Sequence, residues 1–163
     1  MLKISESAQI SQHAHIEPSI LGTIIEIGDN VFIDSFVRVR PVGGMGNIKI
    51  GANCFINAGC VLFSGNGIIL GEYVLVGPNC TLAPTNHAYA LRGKVIRHQG
   101  FLPSKGGILI EDDVWIGANT TILDGAILRQ GCVIGAGSLV RGEVEAYSIN
   151  SGNPLRKIGM RRD

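Results

Sequence analysis

The chain reads as an all-β protein, a triangular prism of about six coils with one long loop excursion and a short C-terminal cap. Three observations predict it. Aliphatic residues recur every six positions, the residue four places after each is usually small or short and branched, and every break in the period follows a third hexad. A period of six matches neither the 3.6 of a helix nor the two of a long strand, but it suits short strands joined by tight bends.

The hexads come in sets of three: Ile4, Ile10, Ile16; Ile27, Ile33, Val39; Ile50, Ile56, Leu62; Leu70, Val76, Leu82; Ile110, Ile116, Ile122; Leu128, Ile134, Val140. All are Ile, Leu or Val, although those types make up less than a third of the chain. Three hexads make one coil, with the aliphatics filling a narrow interior. The second constrained position, as at Ala14, Val31, Cys54, Val74, Cys80, Thr120, Cys132 and Ser138, fits a crowded bend. Glycine just after an aliphatic, at Gly28, Gly51, Gly71, Gly77, Gly117 and Gly135, supports frequent bends. Extra residues enter after Leu21, Gly44, Gly67 and His87, so all insertions leave from one corner of the prism. The weakest second-position fits, Ile20, Asn66 and Asn86, stand at that same corner. The coils therefore occupy about 4–87 and 110–145, the loop 88–109 and the cap 146–163, all in a single domain of 1–163. Coils stacked about 4.8 Å apart give a prism roughly 25 to 30 Å tall.

Composition narrows the function classes. Glycine is 23 of 163 residues and charged residues are 17%, as expected of a turn-rich β protein. A net charge of +1 offers no field for nucleic acid or a membrane surface. No apolar run reaches the roughly 18 residues that span a bilayer, and the start lacks a signal peptide's apolar core, so the expected location is cytoplasmic.

The hexads, together with Ile110-Glu111-Asp112-Asp113-Val114-Trp115-Ile116-Gly117-Ala118-Asn119, Ile134-Gly135-Ala136-Gly137-Ser138 and Ser151-Gly152-Asn153-Pro154, resemble the hexapeptide-repeat acetyltransferases. Within them the chain looks most like the sugar O-acetyltransferases of lipopolysaccharide, capsule or exopolysaccharide synthesis, and is similar to the galactoside and maltose acetyltransferases. The resemblance implies a left-handed parallel β-helix, a homotrimer with active sites at subunit interfaces, and acetyl-CoA as donor. Members that take free sugars often begin with a short helical segment; here the first hexad starts at Ile4, so a larger or carrier-linked glycan is the expected acceptor.

The resemblance also implies a general base at the mouth of the long excursion, the place that Thr85-Asn86-His87 occupies. A sugar hydroxyl is a poor nucleophile, and an imidazole can take its proton as the oxygen attacks a thioester carbonyl. His98 is the competing histidine in the loop; His13 and His15 lie in the first coil and read as structural or exposed. Cys54, Cys60, Cys80 and Cys132 all occupy the small inward position, which argues for packing over nucleophile, disulfide or metal ligand, and hence for direct transfer.

Trp115, the only tryptophan, is either a corner aromatic against a neighbouring subunit or, by resemblance, a wall beside the pantetheine arm of CoA. Ala118, Ala136, Gly137 and Ser138 match positions that line the CoA groove, and Arg156 matches a phosphate contact. Where the family has Thr-Lys this chain has Arg141-Gly142, which shifts the expected adenine or phosphate contact to Arg141. For the acceptor, Asn57 matches a sugar-facing position and Asn86 neighbours the base, while the loop offers Tyr89, Arg92, Arg97 and Gln99. The alternatives are an N-acetyltransferase acting on an amino sugar or nucleotide sugar, a non-catalytic β-helix assembly subunit, and a zinc γ-type carbonic anhydrase. The last needs three converging histidines; no pair five residues apart stands around His87, and no metal is expected.

Overall fold

The computed structural model describes residues 1–162, and in it successive coils stack their strands in parallel into three sheets of seven, eight and six strands, one on each face. The first face starts at Leu2–Ile4, the second at Gln9–Ile10 and the third at His15–Ile16. Register is kept from coil to coil: Ile4 pairs with Ile27, Ile27 with Ile50, Leu70 with both Ile50 and Ile110, and Ile110 with Leu128. Each interior aliphatic therefore sits on another, and those of coils two to six are all buried. The first coil departs from this. Ile4 is 40% exposed and Ile10 and Ile16 are half-buried, because burial needs a coil on both sides and they have one on one side only.

The corners follow a local rule that hydropathy alone does not reveal. At most bends of coils two to six the residue just before the second position takes a left-handed conformation; it is often Asn, as at Asn30, Asn53, Asn79 and Asn119, or Gly, as at Gly59 and Gly137, which tolerate positive φ best, but Phe36, Tyr73 and Asp113 adopt it too. The small residue that follows can then donate inward to a carbonyl of the next coil: Cys54 Sγ to Gly71 O at 3.1 Å, Cys60 Sγ to Gly77 O at 3.1 Å and Cys80 Sγ to Gly117 O at 3.2 Å. The glycines just after aliphatics serve close stacking rather than bending. A Cβ on Gly51 would lie 2.3 Å from Gly71 O, and one on Gly117 would lie 2.5 Å from Ala136 N.

Every insertion leaves between the third and first faces, as the hexad breaks require. The long excursion starts after the strand Thr81–Ala83 and ends at Ile108–Ile110, so it spans 84–107. Strand pairing continues past 145. Glu143–Val144 and Ser148–Ser151 add a partial seventh coil, and Arg156–Met160 folds back antiparallel on Ser148–Ser151. The cap is thus shorter than the hexads alone suggest, because the interior positions there are the polar Ser148 and Asn150, which break the aliphatic pattern without ending the coil.

Leu82, fully buried between Leu62 and Ile122, tests the prism core. Replacing it with Ala should cost about 2–5 kcal/mol, measured by urea unfolding.

Candidate active site

The excursion is zipped shut at its neck, and His87 stands in the zip. Leu102 N–H donates to Asn86 O at 2.8 Å and Ala88 N–H to Gly100 O at 3.0 Å, which sets His87 opposite Phe101. Their rings lie 4.7 Å apart at 31°. The backbone of His87 is therefore held on both sides while its side chain remains exposed. Among the described residues no side chain hydrogen-bonds to the imidazole. Further out, the Gln99 amide stitches the loop to itself, accepting from Leu91 N–H at 3.1 Å and donating to Leu91 O at 2.9 Å and Lys94 O at 2.8 Å. Gln99 is thus spent on loop structure.

The loop's return is fixed by Asp124, which the sequence reading did not single out. Asp124 is 7% exposed in the turn between Thr121–Leu123 and Ala126–Leu128. Its Oδ1 accepts from Gly107 N–H at 2.9 Å, and its Oδ2 accepts from Lys105 N–H at 2.9 Å and Asn66 Nδ2 at 3.1 Å. One buried carboxylate thereby ties two returning residues of the loop and a shorter insertion to the fifth coil. The only signal in the sequence was Asp124-Gly125, which reads as a turn.

Under the loop lies a cleft of about 440 Å³, lined by Asn86, Tyr89, Lys105, Asp124 and Arg141 among others. Arg141 also borders a second hollow of about 260 Å³ with Asn153 and Pro154. Arg92, Arg97 and His98 are exposed, and neither arginine lines the cleft. His13 stacks on Phe36 at 5.8 Å, and His15 lies 3.9 Å from Glu17, both on the first two coils.

The predicted donor residues gather along the opposite edge of the third face. Ala118, Ala136 and Gly137 follow the second-face strands Trp115–Ile116 and Val133–Ile134. The backbone N–H groups of Ala118 and Ala136, stacked one coil apart, have no acceptor among the described residues. Gly137 N–H is spent on Ala118 O at 2.8 Å. Ser138 is buried; its Oγ donates to Gly135 O at 2.6 Å and accepts from Gly152 N–H at 3.0 Å, so its side chain serves the fold. Asn57 belongs to this edge too, its amide donating to Val76 O at 2.8 Å. Trp115, 54% exposed, faces out from the second face. In the tail, Lys157 pairs with Glu145 at 2.7 Å and Arg161 with Asp113 at 2.7 Å, whereas Arg156 makes no ion pair among the described residues.

The four cysteines are buried and unbridged. Burial pushes the Cys54 thiol up to about 11 and that of Cys132 up to about 12, so neither is a thiolate nucleophile near neutral pH. Among the described residues no three His, Cys, Asp or Glu side chains cluster closely enough to hold a metal, and no helix is long and apolar enough to cross a membrane.

Comparison with known proteins places this arrangement in a class. Residues 47–84 match the hexapeptide repeat of succinyl-transferase, and residues 107–142 match the bacterial transferase hexapeptide (six repeats). The chain carries the hexapeptide repeats of these transferases, and its fold is the left-handed β-helix of its structural neighbours. It is 32% identical over 136 residues to the galactoside O-acetyltransferase of Lactococcus lactis, covering 82% of this chain and 63% of that protein. The chain thus spans less than two thirds of that relative's length. AntD, an N-acyltransferase from Bacillus cereus solved with dTDP-4-amino-4,6-dideoxyglucose and coenzyme A, superposes with a TM-score of 0.82 at 26% identity, over 99% of this chain and 84% of AntD. A hexapeptide-repeat acetyltransferase of Vibrio cholerae, complexed with acetyl-coenzyme A, gives 0.73 at 29% identity over 84% and 71%.

Asp124→Ala should leave its three donors unpaired and loosen the loop without unfolding the prism. Losing about 1.4 kcal/mol of local hydrogen bonding corresponds to roughly tenfold faster limited proteolysis within 88–104, with the thermal unfolding of the coils followed in parallel.

Proposed function

We propose that this protein transfers an acetyl group from acetyl-CoA to a hydroxyl of a sugar or glycan precursor, with His87 as general base. The observation that carries this reading is the neck of the excursion, where pairing on both sides fixes the His87 backbone and leaves its imidazole exposed, next in sequence to Asn86, which lines the polar cleft. In the proposed step the imidazole takes the hydroxyl proton while the oxygen attacks the thioester carbonyl; the C–S bond then breaks and the CoA thiolate leaves, taking up a proton. Burial of all four cysteines supports direct transfer over an acetyl-enzyme.

The donor reading rests on the unpaired N–H groups of Ala118 and Ala136, which can serve the amide carbonyls of a pantetheine arm running along that edge. Trp115 would flank the arm and Arg156 would meet the phosphates, whereas Arg141, which the resemblance offered for that contact, lines the cleft under the loop at the other edge of the third face. The third face is about three residues, or roughly 10 Å, wide, so base and donor edge stand apart within one protomer. A homotrimer that sets the donor edge of one subunit beside the base of the next would close this gap. A continuous outward stripe of Phe32, Phe55, Leu75, Trp115, Val133 and Ile149 along the second face supports such an assembly, since apolar stripes of that length are usually covered. Cytoplasmic action is consistent with this donor. The likeness to AntD keeps an amino group as the second acceptor reading.

His87→Gln should lower transfer by about 10²–10⁴-fold while acetyl-CoA binding and assembly are unchanged; near wild-type turnover overturns the assignment. Leu75→Glu, which sets a charge in the middle of the stripe, should convert trimer to smaller species in sedimentation velocity.

A further inference from the structure

The excursion differs in charge from everything around it. Residues 84–107 contain Arg92, Lys94, Arg97 and Lys105 but no Asp or Glu, in a chain whose 14 basic and 13 acidic residues leave 10 basic against 13 acidic outside the loop. None of these four cations, nor Arg141, makes a salt bridge among the described residues, whereas Arg38, Arg40, Arg129, Lys157 and Arg161 all do. Two of the unpaired cations, Lys105 and Arg141, both exposed, line the cleft under the loop, to which Asn86 contributes but His87 does not.

The cleft holds one acid, Asp124, whose two oxygens already accept three hydrogen bonds from the protein's own N–H groups. It forms no ion pair with either cation among the described residues, and the cleft side chains Lys105, Arg141 and Asp124 sum to a net positive charge. Lys105 is also held in place. Its backbone is pinned by Asp124, and its Cβ passes so close to Gly125 that a Cβ at that position would lie 2.8 Å from it. A pinned backbone carrying an ammonium that shares one cleft with an ion-pair-free guanidinium offers a cradle for a compact anion.

Resting on the acyl-transfer reading above, we infer that the acceptor carries a phosphate group and that Lys105 and Arg141 bind it in the cleft beneath the loop while its hydroxyl or amine is presented to His87. Phosphate also occurs in CoA, so the source must be decided. Lys105 belongs to the loop, and the unpaired donors of Ala118 and Ala136 lie on the other edge of the third face. Within one protomer these positions keep the cleft away from the donor edge, and loading the protein with CoA distinguishes the acceptor's phosphate from that of a donor edge brought up by a neighbouring subunit. An anionic acceptor gains from both cations and is steered by the wholly basic loop.

The test uses inorganic pyrophosphate as probe, so that it does not depend on knowing the sugar, titrated calorimetrically into the intact protein saturated with CoA. The expected result is salt-sensitive binding that weakens about tenfold or more in Lys105→Met and again in Arg141→Met, with unfolding temperature and assembly unchanged. Absence of binding to the CoA-loaded wild type overturns the inference. So does binding seen only without CoA and recovered with dephospho-CoA, because the subsite would then be the donor's. Turnover of matched acceptors, glucosamine 1-phosphate against glucosamine, forms a separate arm. A lower KM for the phosphorylated sugar, lost in Lys105→Met, supports the inference, and equal KM values in the wild type overturn it. Failure of acetyl transfer to any acceptor, with pyrophosphate binding intact, would count against the acyl-transfer reading and not against the anion subsite.

Discussion

The interior of the prism is too narrow for anything but one aliphatic per face per coil and one small residue per bend, and the rest of the structure follows from that restriction. Interior aliphatics in register from coil to coil leave no room for a slipped strand. Bends must turn sharply without intruding, hence a left-handed residue followed by a small one that can satisfy a carbonyl of the adjacent coil, a task to which Cys54, Cys60 and Cys80 are suited as compact weak donors. Irregularity is confined to the corner between the third and first faces, where the second position holds the half-buried Asn66 and Asn86 or the exposed Ile20 and Gly43. The excursion, Asp124 and Arg141 all stand at this corner, so one packing rule decides where polar chemistry can be placed.

The sequence carried this part of the fold because periodicity is a local property repeated many times. Inward direction, coil number and the common exit corner could all be read from spacing. Properties that depend on what lies beyond the next coil could not. Ile4, Ile10 and Ile16 obey the period yet are not fully buried, since nothing packs beneath them. The partial seventh coil was hidden because Asn150 stands where Ile134 stands one coil earlier, its Nδ2 satisfied by Ser148 Oγ at 2.7 Å, in a position otherwise reserved for aliphatics.

The site was legible only where it inherits the hexad frame. His87 follows Leu82 by five residues, so its position is set by the prism. Asp124 acts on Lys105 and Asn66, which precede it by 19 and 58 residues, and no spacing rule reports such a meeting. Side-chain amides and hydroxyls are ambiguous in another way. Gln99 and Ser138 look like ligand-binding residues in the sequence, but in the fold their polar atoms are taken up by backbone partners, and the Asn57 amide nitrogen is spent in the same way. A polar residue becomes a candidate contact once the structure shows that its hydrogen-bonding capacity is not already spent.

The same accounting separates two kinds of part within the site. The base and the donor edge are held by elements that the prism cannot change without losing its core: His87 by the register of the coil that precedes it, Ala118 and Ala136 by the bends. The groups that would recognise an acceptor are carried by a loop attached through its zipped neck and the Asp124 anchor. Changes between residues 89 and 99 need disturb neither attachment. A scaffold built in this way can alter what it binds without moving what it reacts with. The charge of the loop, wholly basic on a nearly neutral chain, is therefore better explained by the acceptor than by the fold, because nothing in the prism requires it and no acidic partner within the protomer absorbs it.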